Sequence, residues 1–529
     1  MSATLATAAN EAATPDRRDD LVSVARGGAL NIVGTIMNGV SGFLLGIIVT
    51  RGLHARGAGV FFEAIALFTI TTTIAQLGAD IGVVREIPRH RALGRFGDSI
   101  RCLYAALAPI VAVATVVGVA MYVFAPDISH AIVRGGDEDA AVPYLRVLGP
   151  FLPIAAVSKV VLSATRAYGT MLPFVAVEYF GKGAVRPVLA IFVVALGFGS
   201  LAMALSWALP LAAGLVAGAI WLVAVIRRAS RTRAAAHEPH TPVRDLAFEF
   251  WRFTAFRGVA AIFAIAILWL QVVLVGALAS AREAGVYGAA SRFVTAGSFA
   301  LQALFLVMGP QMSALLSRGQ RDRAQEVYQA ATAWLTAVSF PIFLTMAVFA
   351  PFLLRIFGPD FVSGQTALEI LALAMLVNVG TGTVTVILLM SGKSSWNLAN
   401  TASAAVVNVG LNVILIPRLG MTGAAIAWAA AICVQNLVPL AQIWFSLKIH
   451  PFGAAYRVPV AAAAICFGGL GLLITQTLGM SISTFLFFGV VATSAYVMLL
   501  WRFREVLDIP LLRAAVAARR RRPAMAASG

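Results

Sequence analysis

Glu178, Lys182 and Arg186 fall at intervals of four in an otherwise uncharged, largely apolar stretch. Residues four apart share a helical face, so the run reads as one acid and two bases on a single line. Glu178 and Lys182 can neutralise each other there, which leaves Arg186 unpaired by its own helix. Five further cations lie inside apolar runs: Arg146, Lys159, Arg257, Arg292 and Arg355. The clear carboxylates in such runs are Glu63, Glu178 and Glu369, with Asp80 at the end of one. Facing hydrocarbon, each charge would cost about 3 kcal/mol or more. Arg146, Arg257 and Arg355 lie near run ends and can snorkel to an interface, whereas Lys182, Arg186 and Arg292 are too deep and Lys159 is intermediate. Two readings stand: ion pairs that fix helix packing, or a water-filled cationic cavity that receives an anionic group. Seven cations over three carboxylates favour the cavity, because pairing alone would balance. Its candidate lining is Arg292, Arg186, Lys182, Arg257, Lys159 and Arg26, and Glu63, Glu178 and Glu369 are the candidates for coupling to a proton or other cation.

Other chemistries find no residues to carry them. Cys102, Cys433 and Cys466 sit in apolar segments at spacings that suit neither a disulfide nor a metal. No nucleotide or cofactor motif occurs, so no cofactor is expected. A membrane-embedded enzyme would need a sizeable outside segment carrying acid and base groups, and the longest outside loop, near 125–142, offers only His130 as a histidine. A net charge of +17 would suggest nucleic acid for a soluble chain, but 60% hydrophobic and 12% charged composition, with a mean hydropathy of +0.88, places the chain in a membrane. Cationic loops then explain the charge, with lipids rather than nucleic acid as the expected partner.

The elements that must position these charges are apolar runs of about 20 residues, each able to cross a hydrocarbon layer of ~30 Å. Fourteen are expected, near 30–50, 58–78, 102–124, 143–165, 174–196, 201–226, 253–277, 286–309, 331–356, 366–390, 398–416, 421–445, 456–476 and 483–501. The fold class is therefore an all-α polytopic membrane protein. With the N-terminus inside, 28 Lys and Arg fall in inside segments against 5 outside, so both termini are expected in the cytoplasm of a cell with this chain in its plasma membrane. The basic loops 82–98 and 311–326 occupy equivalent places. Retention by lipid explains both, and Arg85, Arg89, Arg91 and Arg321 are the candidates for an inner gate.

An internal repeat orders the runs. Ala55–Ala64 reads ARGAGVFFEA and Ala281–Ala290 reads AREAGVYGAA, identical at six of ten positions with an offset of 226. Tyr168-Gly169 recurs as Ser391-Gly392 and Leu196-Gly197 as Leu419-Gly420, at 223. Two duplicated six-helix lobes plus two C-terminal helices follow. The expected organisation is a disordered cytoplasmic tail 1–25, an N-terminal lobe 26–228, a cytoplasmic linker 229–250, a C-terminal lobe 251–450, two additional transmembrane helices in 451–502 and a basic cytoplasmic tail 503–529. Ala55–Ala64 reads as the outside hinge between spans one and two, and its echo as the hinge between spans seven and eight. Glu63 corresponds to Ala289, three positions before Arg292, so the acid comes from one copy and the base from the other. A duplicated helical membrane protein usually places its substrate where its repeats meet.

The segment Asn412–Ala427, NVILIPRLGMTGAAIA, closely resembles the signature of bacterial polysaccharide and oligosaccharide-lipid flippases, in the multidrug/oligosaccharidyl-lipid/polysaccharide exporter superfamily. TRGLHARGAGVF after span one, VYGAASRFV opening span eight and LLRIFGPDFVSGQTALEILAL across spans nine and ten agree, and the resemblance covers most of 25–450. It implies a substrate, a polyprenyl-pyrophosphate-linked oligosaccharide carried from the cytoplasmic to the outer leaflet by alternating access, with a polysaccharide polymerase or glycosyltransferases as partners. Lipid II flippases and drug or cation antiporters of the same superfamily are the alternatives. Many such antiporters resemble one another in an acidic site in the first span, and here spans one and seven lack Asp and Glu. A membrane-embedded glycan polymerase or ligase is the alternative from another class.

Overall fold

The computed structural model describes residues 14–136, 138–231 and 241–504, and every regular element among them is helical. Inside a bilayer a helix satisfies its own backbone hydrogen bonds, which an open strand cannot do. Among the described residues, nine helices are long and apolar enough to cross a membrane. The fourteen expected spans are not matched one for one, because kinks run some together and breaks shorten others. Thr14–Gln76 joins two runs through His54, which is non-helical at φ 57° and ψ −178°. Ser394–Leu447 does the same through Gly420 at φ 56°. The expected eighth span breaks at Ser298, between Ala281–Gly297 and Phe299–Ser317.

The structure shifts several boundaries. Ala55–Ala64 is helical throughout, so the hinge before it is His54 and the repeated stretch forms the first turns of a helix. A helix starts at Thr14, inside the stretch expected as a disordered tail, while 1–13 lie outside the described residues. Helices run up to Arg231 and on from Val243, leaving less of 229–250 as a linker. The basic tail lies outside the described residues from 505 onward.

The chain divides into two compact units. The first takes the described parts of Met1–Gly52, Ala64–Val133 and Asp137–Ile265, and the second those of Leu53–Glu63, Arg134–Gly136 and Ala266–Gly529. In the first, the Phe96–Val123 and Val142–Ala167 helices cross at Gly118 and Gly149, so closely that a Cβ on either would lie under 3 Å from the other's carbonyl oxygen. The start of the Val243–Leu278 helix packs in this unit as well, with Gly258 against Leu77 and Gly78, and with Phe250 and Thr254 over Gly82.

In the second unit, the Tyr328 hydroxyl donates to the Thr381 carbonyl, and the Thr381 hydroxyl donates to Asn436 Oδ1 at 3.1 Å, tying three helices together. The two C-terminal helical runs, Ala454–Leu478 and Ile482–Arg502, belong to this unit. Phe488 meets Phe349 at 4.7 Å, and the Tyr496 hydroxyl donates to the Ala337 carbonyl at 2.9 Å.

The second unit also contains Ala281–Ala290 and all but the last residue of Ala55–Ala64, and these two stretches pack against each other. A Cβ at Gly59 would lie 1.7 Å from the Ala281 carbonyl oxygen, and one at Gly285 would lie 2.0 Å from the Ala55 carbonyl oxygen. The contact is reciprocal, since Ala55 and Gly59 correspond to Ala281 and Gly285 at the offset of 226. Small residues permit such backbone approach between membrane helices. Gly59→Leu or Gly285→Leu is therefore expected to cost about 3 kcal/mol or more, the upper end of overpacking penalties. Gly42→Ala, with open space around its added Cβ, should gain about 0.5–1 kcal/mol. Thermal unfolding of the purified protein in detergent measures both.

Candidate functional site

Glu178 and Lys182 sit on a π-helical turn, Val175–Lys182, between Leu172–Phe174 and the Gly183–Ala195 helix. A π-turn inserts one residue into the helical ladder and often marks a site where side chains are re-aimed. Lys182 Nζ lies 2.6 Å from Glu178 Oε2, so the expected pair forms. The same ammonium donates to Ser158 Oγ at 3.4 Å on the Val142–Ala167 helix. Room for the Lys182 stem comes from Gly214, where a Cβ would stand 2.9 Å from the lysine Cε. Half-buried Lys159 is close enough to act on Glu178 through space. Arg186 finds its partner on the Ser200–Arg231 helix. Its Nε donates to the Trp207 carbonyl at 3.0 Å, and its guanidinium carbon stands 3.9 Å from the Trp207 ring centre. This cluster in the first unit holds three cations and one acid.

Arg292 in the second unit is held differently. Its guanidinium carbon lies 5.3 Å from the Phe62 ring centre and 5.8 Å from that of Trp269. Among the described residues, it makes neither a hydrogen bond nor an ion pair within 4.0 Å. Aromatic faces stabilise the cation without using its N–H groups, so these remain available to an anion. Glu63, the neighbour of Phe62, is fully buried, and neither carboxylate oxygen has a hydrogen-bond partner among the described residues.

The other candidates are less central. Glu369 accepts from Gln365 Nε2 at 2.8 Å in the early turns of the Gln365–Gly380 helix. It lies within the Pro359–Gly380 run, which is long and apolar enough to cross a membrane. Arg257 is on the Val243–Leu278 helix and Arg26 on Thr14–Gln76. Arg321 is exposed where the Arg321–Val348 helix begins.

Arg85, Arg89 and Arg91 all lie on the Ala79–Ala92 helix, and each is engaged within the first unit. Arg89 bridges Glu86, at 3.0 Å, and Glu249. Arg85 lies 3.8 Å over the Phe253 ring and 3.3 Å from Glu86, and Arg91 lies 4.9 Å over Tyr168. Thr241 donates to Asp98 at 2.7 Å, and Trp251 Nε1 donates to the Ala105 carbonyl at 3.2 Å. Together these contacts fasten the start of the Val243–Leu278 helix. The hydrogen bond from Arg89 holds the Glu249 carboxyl below the usual carboxylate range.

Trp207, Ser158, Phe62, Trp269 and Glu249 were not visible as site residues in the sequence, since an aromatic or hydroxyl group in an apolar run gives no sign of which cation it will meet. The flippase-like segment Asn412–Ala427 has a structural part. It contains the kink at Gly420, where Glu283 accepts a hydrogen bond at 2.6 Å from the Met421 backbone N–H.

Lys182→Met would leave Glu178 charged with little water around it, at a cost near the low end of about 3–5 kcal/mol. The double change with Glu178→Gln should recover most of that, as read by thermal unfolding. Arg89 and Glu249 are each 45% exposed, so their pair contributes less than about 1 kcal/mol. Because the folded-state value of Glu249 is depressed, that contribution is fully present above its unfolded value of about 4.3 and is lost as pH falls through the folded value. The stability difference between the native protein and Glu249→Gln should shrink over that acidic window and stay constant near neutrality.

Residues 24–316 match the family model described as polysaccharide biosynthesis protein, and 257–414 match the MatE model. "Probable low-salt glycan biosynthesis flippase Agl15" of Haloferax volcanii is 25% identical over 258 residues, covering 46% of this chain and 53% of the relative. The chain thus spans about half the length of that curated relative. Among solved structures, an inward-facing multidrug resistance MATE family transporter covers 80% of this chain and 99% of its own, at 16% identity and a TM-score of 0.66. The lipid II flippase MurJ in an inward closed conformation covers 90% of this chain and 99% of its own, at 12% identity and a TM-score of 0.68. At such identities these two establish the fold, that of a multi-pass membrane protein. The first model spans more than half of the sequence, and the chain belongs to the polysaccharide biosynthesis protein family.

Proposed function

We propose that this protein flips a polyprenyl-pyrophosphate-linked oligosaccharide from the cytoplasmic to the outer leaflet of a bacterial cell membrane by alternating access, for cell-surface polysaccharide biosynthesis. The observation that carries the reading is Arg292, a cation on the Ala281–Gly297 helix that is clamped by Phe62 and Trp269 and has no anionic partner among the described residues. Leaving such a charge unpaired is costly in a membrane protein, and a transient anionic ligand accounts for the cost. Pyrophosphate suits it, since a guanidinium offers paired N–H donors in the geometry of phosphate oxygens.

The cluster of Lys159, Lys182 and Arg186 around Glu178 supports the same reading, because its net positive charge lowers the energy of an anion nearby. Glycosyltransferases would supply the substrate and a polymerase would consume it. Both termini are assigned to the cytoplasm from the distribution of Lys and Arg. The Ala79–Ala92 helix, with Arg85 and Arg89 fastened to the Val243–Leu278 helix, serves as part of an inner gate in this scheme, and Arg321 belongs to its counterpart. Glu63 is the preferred coupling group among the three carboxylates, being the buried one without a partner.

Complementation of a strain lacking the transporter tests the proposal. Arg292→Gln should abolish glycan export with the protein still present in the membrane, and Arg292→Lys should keep part of it. Arg186→Gln should also fall well below the native level. Undiminished export from both glutamine variants would overturn the proposal.

A further inference from the structure

Leu437, Ala441 and Phe445 recur every four residues along the last turns of the Ser394–Leu447 helix and form a ridge with a cavity on either side. The first cavity, of 620 Å³, has Trp396, Val438 and Gln442 in its wall. The second, of 470 Å³, has Leu440, Trp444, His450 and Phe452. Both share the ridge, and the smallness of Ala441 deepens the two together. Both cavities and all the residues named belong to the second unit.

Three features say what fits there. The aromatic side chains are displayed outward, with Phe445 74% exposed, Trp444 43% and Trp396 41%, on a helix apolar enough to span a membrane. Tryptophans near helix ends are typical of headgroup depth, where one side of the ring is wet and the other apolar. The polar groups beneath the first cavity are already satisfied, because Asn400 and Gln442 exchange hydrogen bonds at 2.7 and 3.0 Å. That leaves an apolar trough rather than a polar socket. A cation stands beside it, Lys393 Nζ, 4.2 Å over the Trp396 ring, and neither cavity has an acidic residue in its lining.

We propose that this ridge holds one anionic glycerophospholipid, with one acyl chain in each cavity and its phosphate at Lys393. Two troughs separated by a single ridge match a lipid with two chains, whereas a single-chain lipid would fill one and leave the other empty. A zwitterionic headgroup would bring no net charge to Lys393. The site depends on the second unit alone and on no assumption about what the protein transports.

The test uses the full chain in phosphatidylcholine nanodiscs, with chain-brominated phosphatidylglycerol or chain-brominated phosphatidylcholine added as quencher of tryptophan emission. The chain has nine tryptophans, so the signal of interest is the part lost in Trp396→Phe/Trp444→Phe. That part should saturate at a severalfold lower mole fraction of brominated phosphatidylglycerol than of brominated phosphatidylcholine. Lys393→Gln should reduce the preference about fivefold, the worth of one lysine at an anionic membrane surface, and Lys393→Arg should keep it. Ala441→Phe, run as a monodisperse peak on gel filtration, should remove the saturable part by filling both troughs. Equal quenching by the two lipids would overturn the proposal. So would a preference that survives Lys393→Gln, or displacement by a single-chain polyprenyl phosphate at a lower mole fraction than phosphatidylglycerol requires.

Discussion

A polar group inside a bilayer has only the protein to bond with, and most of this structure follows from that constraint. It makes every described element helical, and it decides how each charge is treated. Lys182 takes both Glu178 and Ser158, Arg186 borrows the Trp207 carbonyl, and the Tyr328 hydroxyl reaches the Thr381 carbonyl. Where side chains cannot be satisfied locally, the chain brings a partner from a helix distant in sequence. Among the described residues Arg292 meets aromatic faces alone, and the Glu63 carboxylate, like the buried Gln271 amide, has no hydrogen-bond partner. Of these, Arg292 and Glu63 are the ionisable ones, and they are the reason a functional role is proposed for this region of the second unit.

Helix association in hydrocarbon cannot draw on water exclusion and rests on close contact instead. The glycine crossings supply it. Gly118 against Gly149 and Gly258 against Leu77 and Gly78 bring backbones together in the first unit, and Gly59 against Gly285 does so in the second. The first unit adds a polar fastening at one edge, where Arg89, Glu249, Asp98 and Thr241 interact. Arg89 and Glu249 are half exposed and their pair is weak, whereas Asp98 is buried beneath Thr241.

Much of this was legible in the sequence for definite reasons. Length and hydropathy revealed helices in a membrane, and spacing by four revealed the Glu178–Lys182 pair, because both signals are local. The breaks between the expected spans 30–50 and 58–78 and between 398–416 and 421–445 fall at His54 and beside Gly420, where the chain kinks within one continuous helical run. The partners of Arg186, Arg292 and Arg89 lie 21 to 230 positions away, counting Trp207, Phe62 and Glu249, and periodicity carries no information over such distances.

The packing of Ala55–Gly59 against Ala281–Gly285 bears on how such a chain could arise. Each copy presents a glycine to the other's alanine carbonyl, which is the isologous pattern of a two-fold dimer contact. A half-length ancestor carrying one copy could have made the same contact with its twin, before fusion placed both copies in one chain. Fusion frees most positions to diverge, as Glu63 and Ala289 have done. At a self-complementary contact the freedom is smaller, because a larger side chain in either copy strikes the backbone of the other.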